Sequence, residues 1–412
     1  MAVTAVPKQA TFEWAGPSTS QAGAPATIAC PEVHGDDHGF LRARAAKPEP
    51  NEASEPVALV DLFCGAGGLS LGFHEAAKSL GISLVGGVAL DADDRSLSCY
   101  AANLPTKLVL NEDVRTLFRP DLRDRLSKEE KSLAKQVTST SILVGGPPCQ
   151  GHSDLNNSTR RNDPKNSLYY TMARAAKVFS PSLVVIENVP NVIHDKGAVV
   201  HRTREALSDL GYTTYEHVFD FIKLGVPQTR KRHVLIAVTR PCDAAFHRLS
   251  HLGSSGRNLQ WAIGDLVGKT QPGDPFNSVA SPNAVTRERI NYLFDRNIFD
   301  LPNEQRPACH RLKDHSYRSI YGRLSWDKPA QTMTRGFYCM CMGRYIHPEE
   351  RRTLTAHEAA RIQFFPDWFS FTPARGRTSL ATMIGNAVPS KLGYVIGVEL
   401  LNAAFGKVAG AK

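Results

Sequence analysis

The sequence predicts an α/β fold: a parallel sheet covered by helices on both faces over residues 56–239, then a smaller irregular domain over 240–345. Three observations carry this. Short apolar runs alternate with stretches of helical period. Several of these runs end in Gly, Asp or Glu, at what becomes the carboxyl edge of an open parallel sheet, where such sheets bind ligands. After Thr239 the alternation stops, and Pro, Gly, Asn and isolated Arg dominate until a strong helical pattern returns near Thr355.

Taken in order, residues 1–55 are rich in Ala, Pro, Ser, Gly and Glu and hold no sustained period. They are expected to form a disordered extension. Order begins with the apolar run Val57–Phe63, read as a buried strand. Leu69–Leu80 reads as a helix closed by Gly81, Ser83–Leu90 as a strand, Asp94–Ala102 as a helix and Lys107–Leu110 as a short strand. Ser141–Val144 and Leu183–Ile186 are further strands, separated by the helix Tyr169–Phe179. A helix over His201–Leu210, ended by Gly211, leads to a strand at His233–Val238. Beyond the irregular region, Thr355–Phe364 reads as a helix with Thr353 or Thr355 as N-cap and Pro366 past its end. Glu358 and Arg361, three residues apart on it, are expected to pair. Lys391–Phe405 is the last helix.

Composition bounds the function classes. With 42% hydrophobic and 22% charged residues, the 412-residue chain is not wholly disordered. Its longest apolar runs fall far short of the ~20 residues of a membrane helix. The first residues lack a basic start and apolar core, so no signal peptide is expected. The 49 Lys and Arg against 40 Asp and Glu give +9, a balance suited to a polyanionic partner. Eight scattered cysteines point to free thiols in a reducing compartment. Cys339 and Cys341 are one residue apart and Cys309 precedes His310, but there is no C-x-x-C pair, and no metal site is expected.

Four motifs carry chemistry. Asp61-Leu-Phe63-Cys-Gly65-Ala-Gly67-Gly68 lies between a strand and a helix, where glycines let the backbone approach a ligand and helix amides point outward. Asp91 ends the next strand, where a carboxylate can hold a ribose diol, and Asp113 follows the third. The loop suits an adenosine and does not separate NAD from S-adenosylmethionine. Gly145-Gly-Pro-Pro-Cys149-Gln150-Gly-His-Ser153 follows another strand. Its prolines stiffen the turn, making Cys149 a candidate nucleophile rather than a buried structural thiol. Glu187 ends the strand Leu183–Ile186 as a candidate general acid. In Gln228-Thr-Arg230-Lys-Arg232, the three residues Gln228, Arg230 and Arg232 share one face of an extended segment.

Together with Asn111-Glu-Asp113, Arg352–Gln363 and Ile384-Gly-Asn386-Ala-Val-Pro389, these blocks resemble, in order and over about residues 57–400, those of the DNA (cytosine-5) methyltransferases. The resemblance implies a Rossmann-like S-adenosylmethionine-dependent methyltransferase sheet over 56–239 and 346–412, with a target-recognition domain over 240–345. It implies catalytic Cys149, Glu187, Arg230 and Arg232: Cys149 adds to carbon 6 of cytosine, Glu187 holds N3 and the amino group, Arg232 holds the ring carbonyl and Arg230 supports the Glu187 side of the pocket. It assigns the cofactor to Phe63, Gly65, Gly67, Gly68, Asp91, Asp113 and Asn386, and substrate contacts to Gln150, Ser153 and Gln228. Residues 150–165 resemble the family's loop that closes over a flipped base. Arg306, Arg311, Arg318, Arg323, Arg335 and Arg344 are candidates for phosphate or guanine contacts. The expected partner is double-stranded DNA, with a restriction endonuclease acting separately on the same sequence. A monomer in the cytoplasm of a prokaryote, or from a phage, is expected. The alternatives are a tRNA cytosine-5 methyltransferase of the same fold, and an NAD-dependent oxidoreductase, which leaves the Pro-Pro-Cys-Gln block without a purpose.

Overall fold

The computed structural model describes residues 27–45, 56–137, 141–148, 167–311 and 320–405. Its centre is a sheet of seven strands among the described residues: β1 Val57–Leu62, β2 Leu84–Asp91, β3 Thr106–Asn111, β4 Ser141–Gly145, β5 Leu183–Asn188, β6 Thr213–Asp220 and β7 Lys231–Val238. The spatial order is β3-β2-β1-β4-β5-β7-β6. β1 to β5 run parallel, whereas β7 is antiparallel to both of its neighbours. The expectation of a purely parallel sheet is therefore corrected at this end. Only residues 221–230 join β6 to β7, too few for a crossover, so the chain turns straight back. The sequence reading missed β6 because it is an edge strand: it mixes Thr, Glu, His and Asp with aromatics and is mostly half-buried. Strand order reverses between β1 and β4, and the carboxyl ends on either side of that point form the ligand crevice of such sheets.

Helices cover both faces. The helix α1, Asp37–Arg42, and α2, Gly68–Leu80, lie on one face with the C-terminal helix. The opposite face carries α3, Ser167–Phe179, and α4, Val199–Asp209.

The expectation of a structureless extension over 1–55 fails for residues 27–45. Ile28–Ala29 pairs in parallel with Leu252–Gly253, and Val33, Phe40 and Leu41 join the core. The segment is tied down by Lys391, fully buried, whose Nζ lies 2.6 and 2.8 Å from the two carboxylate oxygens of buried Asp37. Residues 1–26 and 46–55 lie outside the described residues.

The irregular region also divides. The helix α5, Asp243–Ser250, and α6, Leu259–Ile263, pack on the sheet unit and its flanking core. A separate small core of Ile290, Leu293, Leu301, Ile320, Tyr321, Met340 and Ile346 begins only with α7, Ala284–Asp295. Within 240–345, the part with a core of its own is therefore the one built on α7. Thr355, not Thr353, caps α8, Ala356–Ile362, in a reciprocal capping box with Glu358. The α9 helix, Arg377–Asn386, and α10, Ser390–Phe405, are the last elements of the described residues. Among the described residues no helix is long and apolar enough to cross a membrane.

Candidate active site

The glycine loop joins β1 to α2 at the carboxyl edge. Phe63, Gly65 and Gly67 take left-handed backbone angles (φ 58°, 52° and 91°), forming the sharp turn that aims the first amides of α2 outward. A side chain on Gly68 would strike the Val388 carbonyl, so the block Asn386–Pro389 sits against this loop. Asn386 is exposed at the end of α9.

Asp91, half-buried at the end of β2, accepts the Gly65 amide at 2.8 Å on Oδ2 and the Asp93 amide at 2.9 Å on Oδ1. Burial raises its pKa, partly opposed by these amides. Asp113 caps a short helix at Val114–Leu117 and is gripped by the Arg115 guanidinium, which holds its carboxyl down to about 2.

A buried acid lies beneath the loop. Ser70 donates to Asp61 Oδ2 at 2.5 Å, and the Tyr100 hydroxyl donates to Ser70 Oγ at 3.0 Å. Burial pushes the Asp61 carboxyl up to about 8. Sequence reasoning assigned Asp61 no role; the polar residue inside a wholly apolar strand was the available signal.

The second half of the site lies across β4, β5 and β7. Cys149, Gln150 and Ser153 lie outside the described residues, as does the rest of 150–165. The turn that leads to Cys149 is described through Pro148, and two contacts fix it. Asn188 Nδ2 donates to the Pro147 carbonyl at 3.2 Å. Gly146 lies so close to Glu187 that an added Cβ would stand 3.2 Å from its Oε2. The cysteine turn is therefore held against the end of β5, where Glu187 is 7% exposed.

Across the antiparallel pairing, Arg232 Nε approaches Glu187 Oε1 to 2.7 Å. The contact is an ion pair without hydrogen-bond alignment, since Oε1 accepts no hydrogen bond from the described residues. Gln228 and Arg230 are buried and Arg232 half-buried, while Thr229 and Lys231 between them are exposed. The three do share a face. Arg230 Nη1 donates to the Met333 carbonyl at 3.2 Å. Arg232, near the start of β7, is the arginine that meets Glu187; the β5–β7 register sets Glu187 opposite Val234, two residues further along the strand.

Gln228 corrects another expectation. It is fully buried; its amide donates to the Ile362 carbonyl and Gln363 Oε1 at 3.0 and 2.7 Å, and its carbonyl accepts the Met333 amide at 3.2 Å. Its amide is thus taken up by the chain's own groups. It buckles the Ala330–Gln331 segment, itself paired with Gln228–Thr229, to the end of α8.

A family model described as C-5 cytosine-specific DNA methylase matches residues 57–402. The chain belongs to this family. It is 42% identical over 365 residues to the Type II methyltransferase M1.BsuMI of Bacillus subtilis (strain 168), covering 89% of this chain and 85% of that one. It is 31% identical over 353 residues to the Type II methylase M.HgiDII of Herpetosiphon aurantiacus, covering 83% and 94%. Among solved structures, the S. pombe Dnmt2 methyltransferase aligns with a TM-score of 0.55 at 16% identity, over 85% of this chain and all of that one, a likeness of fold.

As a cytosine-5 DNA methylase, the chain transfers a methyl group to carbon 5 of cytosine in DNA. The fold is the Rossmann-like methyltransferase sheet. Four of its candidate DNA-contacting arginines bond to the chain's own groups. Arg306 and Arg311 donate to the Leu301 and Glu304 carbonyls. Arg323 grips the Pro348 carbonyl and stacks 4.0 Å over the Phe294 ring. Arg344 bridges Phe299, Arg323 and Asp300. Arg318 lies outside the described residues. Arg335 is exposed and, among the described residues, has neither hydrogen bond nor ion pair.

The expected Glu358–Arg361 pair is not formed. Arg352 holds both oxygens of Glu358 at 2.8 and 2.7 Å, while Arg361 turns to Asp367 and Asp265. Burial works against the Glu358 charge, but the Arg352 fork outweighs it and lowers the pKa. His347, Glu350 and Glu358 bring ligand atoms within 4.8 Å of one another. Arg352 occupies both carboxylates, and His347 Nδ1 accepts the amides of Glu349 and Glu350, so the cluster is structural.

Proposed function

We propose that the chain methylates a cytosine flipped out of a specific double-stranded DNA sequence, with S-adenosylmethionine as methyl donor and Cys149 as covalent nucleophile. The observation that carries this reading is the convergence of the Gly146-Pro-Pro turn, Glu187 and Arg232 at one edge of the sheet.

The residues fit S-adenosylmethionine better than NAD. Asp91 and its sequence neighbours Asp93 and Asp94 set carboxylates beside the glycine loop, an acidic setting that suits a cation better than a pyrophosphate. Asp91 would take the ribose hydroxyls, Phe63 the adenine face, Asp113 the adenine amino group, and Gly65, Gly67 and Gly68 the close backbone approach; Asn386 flanks the same loop. When bound, S-adenosylmethionine supplies a methyl group on a positively charged sulfur.

Carbon 5 of cytosine is a weak nucleophile. The Cys149 thiolate adds to carbon 6, and Glu187 donates a proton toward N3 and accepts from the amino group. Arg232 keeps Glu187 oriented and presents N–H groups toward the ring carbonyl. Carbon 5, made enamine-like by the adduct, takes the methyl group; loss of its proton and of Cys149 restores the ring. Arg230 acts one layer back by fixing the 330–334 segment. Residues 150–165, with Gln150 and Ser153, would close over the flipped base, and the unit built on α7 would choose the sequence.

The relatives are named Type II methyltransferases, and we take the partner to be a separate restriction endonuclease, the chain itself acting as a cytoplasmic monomer. Bisulfite sequencing of DNA from cells expressing the chain tests the reading. Methylation at one recurring sequence, absent with Cys149→Ser, is expected; methylated tRNA with unmodified DNA would establish the RNA alternative.

A further inference from the structure

The second unit brings together two thiols that methyl transfer does not use. The Cys339 amide donates to the Gly336 carbonyl at 2.8 Å, and the Met342 amide to the Cys339 carbonyl at 3.1 Å. Met340–Met342 thereby forms a single tight turn. One helical residue separates the two cysteines, a spacing that brings their Cα atoms within the span a disulfide bridges. Their side chains fall on the same side, with Cys339 Sγ 2.9 Å from Cys341 Sγ. Met340 between them is buried in the small core, and its carbonyl accepts the Tyr321 amide at 2.7 Å. The thiols thus hang from an anchored backbone, one exposed and one half-buried.

We propose that Cys339 and Cys341 form a reversible intramolecular disulfide by exchange with a small-molecule disulfide of the glutathione class, a modification site distinct from Cys149. Cys339, the exposed sulfur, attacks the oxidant as thiolate. Its S–S bond breaks, and one small thiolate leaves and takes up a proton. Cys341 then gives its proton to solvent and attacks the Cys339 sulfur of the mixed disulfide, releasing the second small thiolate. Two protein thiols are oxidised and one small disulfide is reduced to two thiols. Burial, and then the neighbouring Cys339, push the Cys341 thiol up to about 11. Cys341 therefore rests protonated and serves as the resolving sulfur, not the first to react.

The site lies between Arg335, the exposed arginine without a partner among the described residues, and Arg344, which ties three backbone segments together. The turn has little slack, for a Cβ on Gly336 would stand 2.3 Å from Met342 Cβ. Closing a ring between its two sulfurs restricts how Arg335 is presented. A reducing compartment keeps the pair as a dithiol, and an oxidising episode closes it.

The test uses the full-length reduced protein, equilibrated with oxidised glutathione, then alkylated and cleaved with trypsin. The peptide Gly336–Arg344 contains both sulfurs and no other cysteine. It is expected to lose two hydrogen atoms and to escape alkylation. The KM for DNA is expected to rise several-fold on oxidation and to return with dithiothreitol. Cys339→Ser and Cys341→Ser should keep the reduced KM throughout, whereas damage at Cys149 lowers kcat equally in all three proteins. A peptide still doubly alkylated when Cys149 has oxidised, or glutathione left on Cys339, would overturn the proposal. So would zinc bound by the native protein and lost with Cys339→Ser, which would make the pair a metal site.

Discussion

Two arginine–glutamate pairs, one between helices that cover the sheet and one between its strands, are built to opposite specifications. Arg174 and Glu130, on the outer face, are both fully buried and doubly bonded at 2.8 and 2.7 Å. Glu130 also accepts the Ser127 and Arg119 amides, and Arg174 donates to the carbonyls of Asp121, Asp124 and Arg125. Nothing further can bind either group. Arg232 and Glu187, at the carboxyl edge, share one misaligned contact and leave a carboxylate oxygen without a hydrogen bond from the described residues. An unsatisfied buried group is costly for a structural pair and useful for one that waits for a substrate. For these two pairs the contrast is between a carboxylate saturated by the chain's own groups and one left with an oxygen to offer.

The sharpest way to break that contrast is to disable each pair. Glu187→Gln should lower kcat about 10²–10⁴-fold, the range of general acid–base catalysis, while the melting temperature barely moves. A large loss of stability with near-normal turnover would reverse the assignment. Glu130→Ala should do the opposite, costing about 3–5 kcal/mol because it strands the Arg174 charge, with kcat of the folded fraction unchanged. The pH dependence has a definite sign. Burial alone would raise the Glu130 pKa, but the Arg174 fork and the amides outweigh it and hold the carboxyl down to about 2, from 4.5. The stability contributed by this group is complete above about pH 4.5 and is lost as pH falls through about 2. Urea melts between pH 5 and 2 should show a steeper acid limb in the wild type than in Glu130→Gln.

Smaller effects sharpen the same distinction. Asp91→Ala should weaken S-adenosylmethionine binding by about 1.5–3 kcal/mol in calorimetry, the range for hydrogen bonds to a charged group; unchanged affinity would move the ribose contact elsewhere. Among the arginines, Arg335→Ala should reduce the slope of log affinity for DNA against log salt by about 0.9, one phosphate contact. Arg344→Ala should leave that slope alone and cost about 1–3 kcal/mol of stability through its stranded acceptors. Equal slopes in both variants would remove Arg335 from the DNA face.

What was legible in the sequence follows from range. Glycine loops, strand-ending carboxylates and apolar runs are local signals, and β1 to β5 and α2 emerged close to where periodicity placed them. What was hidden depends on residues far apart. Asp37 carries no local mark of its partnership with Lys391, so an ordered segment looked like part of a tail. β6 is half-exposed and has no clean alternation. The identities of Arg230 and Arg232 were plain, but that Arg232 meets Glu187 depends on how distant strands are laid side by side. Gln228 and Arg344 looked like ligand groups for the same reason: a long polar side chain reads identically whether its acceptor is a base or a carbonyl of the chain itself.

The pairing of Ala330–Gln331 with Gln228–Thr229 acts as a mechanical coupling. The strand that ends in the pocket arginines is stitched to the return segment of the second unit, with Met333 accepting from Arg230 and donating to Gln228. On the proposed function, rocking of that unit as it seats on a duplex would pull through Met333 on Arg230 and Gln228, which lie just before the strand that carries Arg232. A poorly fitting DNA sequence would then be rejected twice, once by weak holding and again by a slack pocket. Discrimination between sites should therefore appear in the turnover rate as well as in the strength of binding.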